Sequence, residues 1–349
     1  MMKQQLKVAH EAMIKWLAHP NELGKEPYKI ECTKEFDLHN LHYYIFRFKE
    51  KMLDDWKLAV CGGYEEDSLE HCGHIYSEME KYNEKTAVED ATKIVERIRS
   101  YWMERARKQE EFQVKMKQNN DFRTREEIDV NDIQSQFVKD NSHYHLIVGE
   151  IDCPSGKIVV ADPLAYLPGP HFSPILSKEV PVGKYPVEIS ICRHSDIGVR
   201  MCTAKLKIKD GKAAKYLKTN ATAESVIQLK DGGTLEGFPV DAGMMCFCDA
   251  QVADEYRTFL DEWYKNNPNK NHYDDYFASY FAESYSKLPA YQREGGDFIE
   301  WKNPNTNHSL VMIASGFGDG FYNSYYGYND ENEICEIIVP MINPKFFLD

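Results

Sequence analysis

"SGFGDGFYNSYYGYNDENEICEIIV", Ser315–Val339, sets a Gly-Asp-Gly triplet ahead of four tyrosines and closes on a β-branched run. Its reading decides the fold of the C-terminal half. Glycine reaches backbone conformations closed to other residues, and aspartate hydrogen-bonds its own backbone, so Gly318-Asp319-Gly320 is turn chemistry. The runs around it, "SLVMIASGF" and "EICEIIVPMI", are rich in strand formers. Along a strand, Tyr326 and Tyr328 share one face and Tyr325 takes the other. The stretch therefore predicts a turn between strands. A second reading stays beside it. Tyr322, Tyr325, Tyr326 and Tyr328 crowd together, and tyrosine, with an apolar ring and a polar tip, suits a partly wet cleft or an interface.

Outward from this stretch the texture persists. "HYHLIVGEID", "GKIVVADPL", "KYPVEISICRH", "VRMCTAKLKIK" and "GMMCFCD" read as strands. Pro154-Ser155-Gly156, Pro168-Gly169-Pro170, Asp210-Gly211 and Asp231-Gly232-Gly233 supply turns. Two helical stretches interrupt, Ala250 to Lys265 and about 275–288. Alternation in "KIVVADPL" and "YPVEISI" predicts one buried face per sheet. Many short strands with turn signals predict a β-sandwich or partly open barrel.

The first hundred residues differ. Leu6, Ala9, Met13, Ile14 and Leu17 fall at helical spacing. "YKIECTKEF", "HYYIFRFK" and "WKLAVCGGY" read as strands. From Thr86 the period changes, and Val88, Ala91, Ile94, Val95, Ile98 and Trp102 line one helical stripe. Thr86 with Glu89 fits a capping box. The fold class predicted is α+β: a helix-strands-helix unit over residues 1–108, a charged helical linker over 109–142, and a β-rich domain with two inserted helices over 143–349.

Composition limits function. Of 349 residues, 42% are hydrophobic, enough for packed cores. No window has the run of apolar residues that a membrane helix needs, and the opening residues lack the pattern of a signal peptide. Nine cysteines, an odd number in a long chain, suit reduced thiols in a cytoplasm. The formal charge is −14. Residues 1–117 carry −2 of it and the remainder −12. Such a surface repels phosphate backbones, which excludes nucleic acid as the expected partner, and it attracts a basic protein or a cation.

The acidic residues at turns are the candidates for chemistry. Asp162 precedes Pro163, Asp241 sits in "PVDAGMM", Asp249 stands where it would cap the second-half helix, and Asp319 lies in the opening stretch. Carboxylates gathered on one sheet edge could hold a hard cation or work as an acid/base pair. Each also has an ordinary role as turn former or N-cap. The ligand or interface candidates are Asp162, Asp241, Asp319, Gly318, Gly320, Tyr322 and Tyr326. Tyr276, Phe277, Tyr280, Phe281 and Tyr285 fall at helical spacings that read as a core stripe. Cys61, His71, Cys72 and His74 are zinc-ligand types, but their spacing lacks the two short pairs of a structural site. Cys246 and Cys248 share a strand face and read as core. The sequence has no Walker loop, GxSxG elbow, HExxH or dinucleotide fingerprint. No cofactor is expected, and neither a metal nor a catalytic residue is assigned.

"CPSGKIVVADPL", "VPVGKYPVEISI", "VDAGMMCFCD" and the opening stretch occur in that order. Together, over about residues 147–340, they resemble the bacterial domain-of-unknown-function family numbered 4241. Val182 departs from the turn that family commonly carries. The resemblance implies a bacterial cytosolic protein and brings no catalytic residues with it. The function expected is a non-catalytic protein-interaction module, of an immunity type, with an acidic, tyrosine-rich surface. The alternative is a small-molecule-binding domain or hydrolase using Asp162, Asp241 and Asp319, with or without a divalent cation.

Overall fold

The structure is a computed structural model that describes residues 2–17, 28–50, 55–64, 74–76, 81–140, 143–169, 172–230 and 232–348. It divides into two units, Met1–Phe112 and Gln113–Asp349.

The first unit is built on an antiparallel sheet of β1 (Tyr28–Leu38), β2 (Leu41–Glu50), β3 (Lys57–Tyr64) and β4 (His74–Tyr76), in that order. His39 and Asn40 both have positive φ (52° and 62°), as the tight two-residue turn between β1 and β2 requires. Alternation along β2 and β3 sends side chains to two cores. Tyr43, Ile45, Leu58 and Val60 meet Ala87, Ala91, Ile94 and Val95 of helix α2 (Ala87–Arg123). Tyr44, Phe46, Ala59 and Cys61 meet Ala9 and Met13 of helix α1 (Met2–Leu17). The predicted stripe holds from Ala91 to Ile98, but Val88 and Trp102 are exposed. The expected capping box is also replaced. The Thr86 hydroxyl donates to Asp90 Oδ2 (2.6 Å), and Glu89 pairs with Lys93. Cys61 is a core residue, while His71 and Cys72 lie outside the described residues.

Helix α2 runs on into the second unit, where its Phe122 packs with Tyr325 and Ile338. After it come β5 (Glu127–Ile128) and the short helix α3 (Val130–Gln134). Strands β6 (His143–Cys153), β7 (Ile158–Ala161), β8 (Gly183–His194), β9 (Gly198–Lys207) and β10 (Lys215–Lys218) succeed them. Two-residue strands β11 (Ile227–Gln228) and β12 (Thr234–Leu235) form a small ladder. Next are β13 (Phe238–Val240), β14 (Met244–Asp249), helix α4 (Ala250–Asn266), a π-turn at Tyr273–Phe277 and helix α5 (Ala278–Lys287). The chain closes with β15 (Phe298–Lys302), β16 (Ser309–Ala314), β17 (Gly320–Tyr322), β18 (Tyr325–Tyr328) and β19 (Ile334–Pro340).

Two open antiparallel sheets result, ordered β5-β10-β18-β19-β9-β8-β6 and β15-β16-β14-β7. Their facing sides share one core. Val187, Ile189, Leu206, Ile337 and Val339 of the larger sheet join Val160, Met245, Phe247, Val311 and Ile313 of the smaller. The arrangement is a sandwich of open sheets within an α+β chain. Alternation predicted one buried face per sheet, but every residue of β14 and β16 is buried. The second face of the smaller sheet lies under Val252, Tyr256 and Phe259 of α4 and Phe281 of α5. The outer face of the larger sheet, which includes Ile128 of β5, is partly covered by Phe122 and Ile133. Asn119 ties that cover down. Its Nδ2 donates to Met341 O (2.9 Å), and its Oδ1 accepts from Asn343 N (2.8 Å).

Candidate functional site

The carboxylates predicted to matter meet at one turn, Asp241–Gly243, between β13 and β14. Asp162 follows β7 and is fully buried. Its Oδ1 accepts from Leu164 N (2.8 Å) and Ala165 N (2.9 Å), and its Oδ2 from Asp241 N (2.9 Å) and Ala242 N (2.8 Å). A buried carboxylate is tolerated when backbone amides replace its water. Four amides do that here. Both oxygens are occupied, so Asp162 is a clamp between two turns and presents nothing to a ligand. An acid/base pair at this edge would have to run on Asp241 and Asp319 alone.

Asp319 reaches the same turn from the other side, with its Oδ1 accepting from Gly243 N (3.0 Å). Asp241 and Asp319 are both exposed. Gly318 has φ +103°, a conformation that favours glycine, with open space where a side chain would stand. Gly318 N donates to Ser315 O (3.0 Å), and the Ser315 hydroxyl returns to Gly318 O (2.9 Å). Gly318-Asp319-Gly320 is therefore a self-bonded turn. It leads from β16 into β17, which pairs with β13. The three carboxylates act together on Tyr166. Partial burial, and then the charges of Asp241, Asp162 and Asp319, push its phenol above the usual tyrosine value.

The tyrosines correct the expectation of a tyrosine-rich surface. Tyr322, Tyr325, Tyr326 and Tyr328 are all buried, none more than 6% exposed. The Tyr322 hydroxyl donates to Ser315 O (2.7 Å) and Gly318 O (2.6 Å), pinning the Gly-Asp-Gly turn from beneath. Its ring stacks on Phe238 and carries the Arg123 guanidinium 4.2 Å from its centre. Tyr326 accepts from Lys178 N (2.9 Å), away from the 241–243 turn. Tyr325 donates to Arg123 O and Arg125 O on the opposite sheet face, as the alternation predicted. These rings are buried because their hydroxyls find backbone carbonyls and amides, a partner that sequence spacing does not reveal.

Asp249 caps α4 as expected, its Oδ1 accepting from Gln251 N (2.8 Å). It also accepts from the Ser155 hydroxyl and from Cys153 Sγ (3.2 Å). Burial and that carboxylate push the Cys153 thiol up to about 12, which keeps it protonated and poorly nucleophilic. Cys246 and Cys248 are fully buried. Among the described residues no group of three or more His, Cys, Asp or Glu side chains is placed to hold a metal ion. A cavity of about 510 Å³ opens between α4 and residues 224–228, lined by Phe172, Ile175, Ile227 and Arg257 among others; none of Asp162, Asp241 and Asp319 lines it.

Residues 151–339 match the model of "Protein of unknown function (DUF4241)". The chain belongs to this family. The DUF4241 region thus takes in the smaller sheet and, in the larger one, everything but β5 and most of β6, with the Asp162 clamp and the Gly-Asp-Gly turn inside it. No match was found among curated proteins or among solved structures. No helix among the described residues is long and apolar enough to cross a membrane, which leaves strand-built membrane proteins unaddressed.

Proposed function

We propose that the second unit is a non-catalytic protein-interaction module of a bacterial cytosolic protein, and that it docks a basic partner, in the manner of an immunity protein, through the edge bearing Asp241 and Asp319. One observation carries this reading. Two exposed carboxylates stand on turns that the Asp162 clamp and the Asp319–Gly243 bond lock together. A rigid charged edge loses little freedom on binding and steers an oppositely charged partner. The −12 charge of residues 118–349 adds a long-range field of the same sign. Tyr322 contributes rigidity beneath this edge, and the buried tyrosines offer no contact surface.

The test is cross-linked capture from the native host, followed by calorimetry with the captured protein. The expected partner is basic, and its affinity falls as salt rises. Asp241→Asn combined with Asp319→Asn weakens it about tenfold or more. The amide introduced at position 319 keeps an oxygen to accept from Gly243 N, so the turn is retained while the charge is gone. Asp210→Asn, on another turn, leaves the affinity unchanged. A partner held equally by the double variant overturns the reading, and so does the absence of any partner.

A further inference from the structure

A second cleft, of about 420 Å³, lies on the outer face of the larger sheet, beside α3. Its floor comes from sheet register. Tyr216 of β10 stands opposite Gly327 of β18, Gly327 opposite Glu336 of β19, and Glu336 opposite Lys207 of β9. Residues directly opposite share a face, so Tyr216, Glu336 and Lys207 all point the same way. Gly327 makes the row possible. A Cβ there would fall 2.7 Å from Glu336 Cγ and 2.9 Å from Tyr216 Cε1. The Tyr216 and Glu336 side chains lie over the space it leaves.

Glu336 is only 6% exposed. The Tyr216 hydroxyl donates to its Oε1, and its Oε2 has no protein partner among the described residues. The atom is not itself buried, so it faces the open space of the cleft. Here one oxygen is fixed and the other is left to the cleft. The neighbouring charges are already matched. Lys205 pairs with Glu188 (3.1 Å) and covers the Phe137 ring at 3.5 Å, and Lys207 pairs with Asp210 (3.0 Å). Lys212, exposed in the cleft wall, has no ion-pair partner among the described residues. The cleft thus offers one unmatched negative group at its floor and one unmatched positive group in its wall, with Phe137, Asn131 and Gln134 also lining it.

We propose that this cleft binds a small zwitterion, a free α-amino acid, with its ammonium on Glu336 Oε2 and its carboxylate on Lys212. Its volume is of the order that small-ligand sites have. The cleft carries one unmatched charge of each sign, which disfavours a simple anion or a simple amine. The site is independent of Asp241 and Asp319, so its failure and the failure of the docking reading are separable.

The experiment is calorimetry and thermal shift on the full chain with the twenty common L-amino acids. Ethanolamine and acetate serve as probes with only one of the two charges. At least one amino acid is expected to bind saturably, with ethanolamine and acetate at least tenfold weaker. Glu336→Gln keeps an acceptor for Tyr216 and removes the charge, and is expected to weaken binding tenfold or more. Lys212→Ala is a surface change that leaves folding intact, and is expected to weaken it severalfold. If Glu336→Gln fails to fold, Lys212→Ala and the charge reversal Lys212→Glu decide the matter alone. The proposal is overturned if no amino acid binds saturably. It is equally overturned if ethanolamine or acetate binds as well as the amino acid, or if the Lys212 variants bind as the wild type does.

Discussion

Replacing Asp162 with asparagine changes one atom's charge and chemistry and leaves the shape of the side chain. Four backbone amides point at that carboxylate, from Leu164, Ala165, Asp241 and Ala242. In Asp162→Asn one pair keeps an acceptor, and the other pair faces an NH₂ group. The outward pair, at the exposed residues Asp241 and Ala242, is the easier one to give up, because water can reach it. A buried donor left without an acceptor costs about 1–3 kcal/mol, and the remaining bonds lose their charge assistance. We expect a loss of about 2–4 kcal/mol for Asp162→Asn, and about 3–5 kcal/mol for Asp162→Ala, which removes all four acceptors. For a unit of this size each kcal/mol lowers Tm by about 2–4 °C, so Asp162→Asn falls by about 4–16 °C. Urea unfolding followed by tryptophan fluorescence measures the change. Hydrogen exchange locates it, with faster exchange expected at the amides of 241 and 242. A loss below about 1 kcal/mol, or unchanged exchange at those two amides, would refute the clamp.

Other side chains give further expected outcomes. Burial alone would raise the Asp152 carboxyl, but Lys184 and Ser309 N hold it net below its ordinary value of 3.8. Its stabilising contribution is therefore complete above that ordinary value and lost as acid takes the pH through the lower folded one. Asp152→Asn should be less stable than the wild type at neutral pH, with the gap closing as the pH falls below 3.8; a gap that widens in acid contradicts this. Gly327→Ala should cost about 1–3 kcal/mol by urea titration, because its Cβ meets Glu336 and Tyr216, and an unchanged midpoint would mean that the floor of the cleft has room to spare. Asp249→Ala removes the α4 cap and the acceptor of Ser155 together, and should cost about 2–4 kcal/mol with exchange rising first at Gln251. Cys153 should resist iodoacetamide in the native protein at pH 8 and react only on unfolding.

The strands that carry β-branched runs were legible in the sequence, because burial and strand propensity agree there. β6, β7, β8, β9, β16 and β19 all fall where the runs lie. β15 and β10 were not foreseen. "FIEWK" is short and charged, and "KYLK" has an ordinary polar texture, so only their neighbours make them strands. The tyrosine run illustrates the same limit. Period two placed Tyr325 opposite Tyr326 correctly, yet nothing local says that Arg123 O, Ser315 O or Lys178 N will cover the hydroxyls. The carboxylates at turns could be singled out from their positions, but the difference between Asp162 and Asp319 could not. It depends on which amides a distant turn supplies. Glu336 escaped notice altogether. Its signal is a glycine set between it and a tyrosine on three adjacent strands, which only sheet register brings together.

Asn119 bonds to Met341 and Asn343 across more than two hundred residues of sequence. The end of α2 is therefore held by a segment that leaves the ribosome long after it. Until β19 and residues 341–343 have emerged, the cover over the outer sheet face has no anchor, and Phe122, Ile128 and Ile133 stay without their full partners. Synthesis at about 5–20 residues per second leaves that apolar patch uncovered for about ten seconds or more, which makes nascent chains of this unit natural clients of a chaperone. Ribosome-bound chains stalled before and after β19 has emerged should differ in protease resistance at residues 113–137, and equal resistance would place the closure earlier.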